Sequence, residues 1–267
     1  MIDEAQDFLQ ESQALYDLVA PLADTDYDQS TQFKNWTINA VLQHLHFFNL
    51  AAVYSLQDPA RFDTFYTSLK NKRESGLSTV AATDELLLGV RGRALLQLWQ
   101  DGFTQTAAAF AKVDPRQRVR WVGPDMSARS SISARLMESW AHGQAVYDLL
   151  GAVRVNTDRI RSIATIGVNT YEWTFRNRGE EIPLPKPFIR LTAPSGAIWQ
   201  WNETSEHHRV EGLAEEFCQV VAQVRNIQDT QLHVTGNSAT RWMAVAQCFA
   251  GPAEMPPAAG TRVISRT

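Results

Sequence analysis

Glu138 and His142 stand four residues apart in the stretch Ala134-Arg135-Leu136-Met137-Glu138-Ser139-Trp140-Ala141-His142-Gly143-Gln144. On a helix, residues i and i+4 share a face, so this carboxylate and this imidazole converge on one point. His44, on a separate predicted helix, offers a third ligand. Three N/O ligands with an open fourth position describe a reactive metal site better than a structural one, which closes its shell with protein. The small neighbours Ala134, Ala141 and Ala145 leave room on that face for an ion and a bound molecule. A plainer reading stands beside this one: a core histidine at 44 and an exposed Glu138–His142 helix pair. Residue types and spacing leave both open.

Position on the helix separates His44 from its neighbour. His44 lies three residues after Val41 and four before Phe48, so it borders the apolar stripe. His46 is rotated by about 200° and is expected at the surface or behind the ligands. Gly123-Pro124 opens the helix that carries Glu138. Met126, Ser127 and Arg129 at its start, with Arg135 one turn before Glu138, are candidates for holding a carboxylate of substrate or thiol. For each of these the alternative is a helix cap or a surface charge. Trp36 and Trp140 are candidates for lining a pocket near the metal. His207-His208 reads as surface loop. No Gly-rich phosphate loop and no Ser-His-Asp arrangement is evident.

The composition is that of an ordinary globular protein: 267 residues, 44% hydrophobic, 20% charged, net charge −4. Without a basic run, neither nucleic acid nor an anionic membrane is an expected partner. The acidic, amphipathic start is unlike a signal peptide, and no apolar run reaches membrane-spanning length. Cys218 and Cys248, both expected on apolar helices, fit reduced core thiols in a cytoplasmic protein.

Four amphipathic helices are expected in the first half. Their anchors are Phe8 to Leu22, a Thr37-capped stripe from Ile38 to Ala52, a long helix from Thr83 to about Val113, and Ser127 to Gly151, with a shorter piece after Pro59. This is a four-helix bundle over 1–155. A linking segment, 156–182, is read as helix with strand left open. A smaller α+β domain follows over 183–267: a hairpin of 188–192 and 197–201 around Pro194-Ser195-Gly196, a helix from Ala214, a strand at 231–234 and a helix from Ser238.

Asn35-Trp36-Thr37-Ile38 leading to His44-Leu45, together with Met137 to Gln144, resembles the mycothiol-dependent maleylpyruvate isomerase and DinB-like metalloprotein superfamily. The stretch Gly123 to Arg129 is closer to an actinobacterial-type metal-binding subfamily, and Trp242 and Ala246 to Pro252 extend the likeness into the second half. The resemblance implies a DinB-like bundle and a divalent ion, zinc first, on His44, Glu138 and His142. It further implies a low-molecular-weight thiol as cosubstrate, added or transferred to a small electrophile or used to isomerise it. Metal-dependent hydrolysis and non-catalytic ligand binding are the alternatives, and a homodimer is left open. Ala145, where an acidic residue is expected, and Val224-Arg225-Asn226, in place of a more basic run, depart from the family pattern.

Overall fold

In a computed structural model, residues 2–265 are described, and the chain divides into two compact units, Met1–Leu150 and Gly151–Thr267. The first is helical: α1 (Asp3–Val19), α2 (Ile38–Gln57), α3 (Pro59–Glu74), α4 (Thr79–Leu86), α5 (Gly92–Phe110) and α6 (Ala128–Leu149). α1 and α2 each pack on both α5 and α6, which makes these four the bundle. Phe8, Leu15, Val41, Leu45, Trp99, Phe103, Leu136 and Trp140 fill its centre with almost no exposure. α3 and α4 lie against α2, where Phe47, Leu69 and Ala82 seed a second apolar cluster.

Local chemistry sets the ends of these helices. Thr37 Oγ1 accepts from Ala40 N at 3.1 Å and starts α2, and Asp58 does the same for α3, which opens on Pro59. Ser127 Oγ accepts from Ser130 N at the start of α6, and Gly151, with φ 65°, ends it in the left-handed region.

The long helix expected over Thr83–Val113 is two helices. The apolar periodicity runs on through the break, but Leu88, Gly89 and Gly92 all have positive φ and turn the chain between α4 and α5. Thr83 is not a cap: Ser78 caps α4, and the buried Thr83 hydroxyl bonds back to Thr79 O. The residues just before α6 form a short antiparallel ribbon, β1 (Arg118–Val119) with β2 (Met126–Ser127), where helix alone was expected from Ser127.

The surface reading of His46 is also corrected. It is 6% exposed and packs against α5, where a Cβ built on Gly102 would meet its Nδ1 at 2.8 Å. The face opposite His44 points at another helix of the bundle, not at solvent. Gly102→Val therefore forces an aromatic ring off its seat. It is expected to destabilise the bundle by about 2 kcal/mol, read by denaturant unfolding; a stability equal to wild type would mean that the α2–α5 contact yields freely.

In the second unit, residues 156–182 carry a 3-10 turn and two helices, α7 (Arg161–Asn169) and α8 (Tyr171–Arg176). A four-stranded sheet follows, ordered β4-β3-β5-β6, from β3 (Phe188–Thr192), β4 (Ile198–Trp201), β5 (Arg209–Leu213) and β6 (His233–Thr235). β3 and β4 form the expected hairpin, whereas β3 and β5 run parallel. α9 (Ala214–Val221) packs on the sheet and on α7, and α10 (Asn237–Val245) on β6. Gly167 lets α7 and α9 approach: a Cβ there would stand 2.7 Å from Val221 Cγ2. Cys218 and Cys248 are buried and not disulfide-bonded, the latter beyond the end of α10.

Candidate metal centre

Each candidate ligand sits in the interior of a well-capped helix, which fixes its direction. Glu138 and His142 lie one turn apart on α6, and His44 faces them from the second turn of α2. His142 Nε2 is 3.1 Å and His44 Nε2 3.2 Å from the same oxygen, Glu138 Oε2. One ligand atom from each residue falls within 4.8 Å of the others. The two imidazole centroids are 4.5 Å apart with their planes inclined at 61°.

The protonation pattern suits ligation. Burial, with the nearby His142 adding to it, pushes His44 down to about 4 against the pull of Glu138, so its ring is neutral near pH 7. Burial alone would raise the Glu138 carboxyl, but hydrogen bonds from His142 and His44 and the charge of Arg135 outweigh it and hold it well below the ordinary carboxylate range. A neutral imidazole and an ionised carboxylate are the forms that bind a metal. His44 Nδ1 is buried without a hydrogen-bond partner, so Nε2 is the nitrogen committed to the cluster.

Aromatic rings enclose the cluster. Lys34 and Asn35 adopt left-handed φ values of 51° and 57°, turning the chain tightly between Phe33 and Trp36. Trp36 stacks on His142 with planes 6° apart and centroids 5.3 Å apart, and Phe33 meets the same ring edge-on at 4.9 Å. The next residue is the Thr37 cap, so the segment that starts the His44 helix also braces His142. Phe48, one turn beyond His44, contacts its ring at 4.8 Å, and Trp121 lies behind Phe48 at 6.3 Å.

Of the five positions expected to contact substrate, Trp36 and Arg135 stand beside the ligands. The Arg135 side chain is 4% exposed, with Nη2 3.8 Å from Glu138 Oε1 and the guanidinium over the rings of Phe48 and Trp121. Met126, Ser127 and Arg129 are not brought there. Arg129 precedes Glu138 by nine residues on α6, about 13 Å at 1.5 Å per residue, and Met126 and Ser127 come before the helix begins. Met126 is in the ribbon, Ser127 is the cap, and exposed Arg129 pairs with Glu4 at 3.5 Å. Trp140 is fully buried in the bundle centre. Phe33, Phe48 and Trp121 were missed as site residues. Phe48 at i+4 from His44 was legible from spacing, but Trp121 reaches the site from a distant loop.

Residues 8–147 match the family described as the mycothiol maleylpyruvate isomerase N-terminal domain. The chain belongs to this family. Within the mycothiol maleylpyruvate isomerase family match lie α2, all but the last two residues of α6, and all three clustered residues, His44, Glu138 and His142. The chain is also 35% identical over 246 residues to "Uncharacterized protein Rv0036c" of Mycobacterium tuberculosis, a match covering 92% of this chain and 95% of that one; a counterpart in a second strain of the species matches equally. A crystal structure of the mycothiol-dependent maleylpyruvate isomerase shares the fold over 83% of this chain and 88% of that one, with TM-score 0.52 and 16% identity. A histidine mutant of that enzyme superposes with the same TM-score at 14% identity. The fold is thus DinB-like in its bundle, with an α+β second unit.

Proposed function

We propose that this protein is a metal-dependent enzyme that activates a low-molecular-weight thiol for addition to a small electrophilic substrate, with isomerisation the reaction of first choice. The observation that carries the reading is the convergence of His44 Nε2, His142 Nε2 and Glu138 Oε2. Two imidazoles and a carboxylate suit a divalent ion, zinc first, although nickel or copper competes for such a donor set. A bound divalent ion lowers the pKa of a thiol so that it reacts as thiolate near neutral pH.

The chain's own residues supply the rest. Glu138 contributes negative charge, and His44 is already neutral near pH 7, ligating through Nε2 in the tautomer that carries its proton on Nδ1. Trp36, Phe33 and Phe48 cover the imidazole rings, hold their orientation and exclude water from their faces, which strengthens the local electrostatics. Neither cysteine is a credible internal nucleophile. Both are buried in the second unit, and burial pushes the Cys218 thiol well above its usual value. The sulfur must come from outside, in agreement with a family named for mycothiol.

The test is turnover of maleylpyruvate by zinc-loaded protein with mycothiol, with other small thiols, and with none. Turnover that needs both thiol and metal, and is lost on chelation, supports the proposal. Thiol-independent hydrolysis of model esters or amides would transfer the same residues to a hydrolase. Ligand binding without any turnover would make the protein a binding module.

A further inference from the structure

The two oxygens of Glu138 are not equivalent. Oε2 faces both imidazole Nε2 atoms, at 3.1 and 3.2 Å, while Oε1 is turned to Arg135 Nη2 at 3.8 Å. That guanidinium is locked in place: its carbon lies 5.1 Å from the Trp121 ring centre and 5.6 Å from that of Phe48. Its Nε and Nη1 are buried with no hydrogen-bond partner. Among the described residues, Glu138 is the one ion-pair partner of Arg135. A buried cation with unmet donors attracts the nearest anion strongly, because little solvent screens the pair. The nearest anionic atom is Oε1.

A metal-binding carboxylate can use one oxygen or both. Using both would take up coordination space that an external ligand needs. Resting on the metal reading above, we propose that Arg135 is a positioning residue that keeps Glu138 a one-oxygen ligand, holding Oε1 aside so that a coordination position stays open for an incoming thiol. Phe48 and Trp121 take part by fixing the guanidinium, which no hydrogen bond anchors among the described residues.

The proposal makes an unusual expectation for a substitution beside a metal. Removing a cation from the site relieves repulsion of the ion and frees Oε1 to join it. Arg135→Met is therefore expected to bind zinc at least as tightly as wild type, while losing affinity for thiol. A residue needed only for packing would lower zinc affinity instead.

X-ray absorption at the zinc edge, with 2-mercaptoethanol as the probe, reads both effects. Zinc-loaded wild type is expected to show one oxygen from Glu138 and to gain a sulfur neighbour as thiol is added. Arg135→Met is expected to show an additional oxygen and to need about 10–100-fold more thiol for the same sulfur signal. Arg135→Lys, which keeps the charge, is expected to restore the wild-type pattern. A wild-type oxygen count and thiol response in Arg135→Met would overturn the proposal, as would a loss of zinc affinity in that variant with its fold intact. If Arg135→Met does not fold, a zinc-loaded wild-type crystal structure decides: one Glu138 oxygen on zinc supports the proposal, and two overturn it. Wild type carrying no zinc on His44, Glu138 and His142 would instead remove the metal reading beneath it.

Discussion

His142→Ala is expected to lose stoichiometric metal binding while keeping its fold. The His142 ring makes one of the two hydrogen bonds to Glu138 Oε2 and lies under Trp36, but the bundle centre is built from other side chains. Apparent zinc-binding free energies of about 10–16 kcal/mol for four-ligand protein sites correspond to roughly 2.5–4 kcal/mol per ligand. Losing one ligand of three should therefore lower affinity on the order of 10²–10³-fold. Elemental analysis of wild type and variant after identical dialysis reads this directly, with circular dichroism to verify the fold. Equal metal content in the two would remove His142 from the site.

Glu138→Gln should have two separate effects. It deletes the only charged ligand, so metal binding fails. It also strands Arg135, whose side chain is 4% exposed and whose partner is Glu138. Removing one member of a buried pair costs about 3–5 kcal/mol. The lower end applies here, because Glu138 is itself partly exposed and the pair sits beyond hydrogen-bond distance. Denaturant unfolding in the presence of chelator should show a loss of about 3 kcal/mol, against little change for His142→Ala. Coupling provides the check: Glu138→Gln with Arg135→Met should cost less than the two single changes added together. Strict additivity would show that the two side chains do not stabilise one another.

The spacing of His44 against Val41 and Phe48, and of Glu138 against His142, carries enough helical geometry to bring three side chains to one place. It fails for His46 because rotation away from one face of a bundle helix does not mean rotation into water; Gly102 on α5 makes a seat for that ring. The break at Leu88-Gly89 was hidden by apolar periodicity that continues across it. β5 was overlooked because Arg209-Val-Glu-Gly-Leu213 has a single buried apolar residue, Val210, and draws its stability from parallel pairing with β3. The burial of Arg135 is beyond any local reading. α6 buries Ser131, Ser133, Arg135, Ser139 and Gln144 along with its apolar residues, so its polar pattern does not mark an outer face. The rings that enclose Arg135 come from positions 48 and 121, and only the folded bundle makes them neighbours.

Titration of mycothiol into cobalt-loaded protein tests the coupling of metal to thiol most directly. A thiolate on cobalt adds a sulfur-to-metal charge-transfer band that neither water nor the imidazole ligands produce. The expected result is a saturable band with wild type, reaching one thiol per cobalt, and no band with His142→Ala. A cobalt-loaded wild type whose spectrum no low-molecular-weight thiol perturbs would contradict the thiol-activating function.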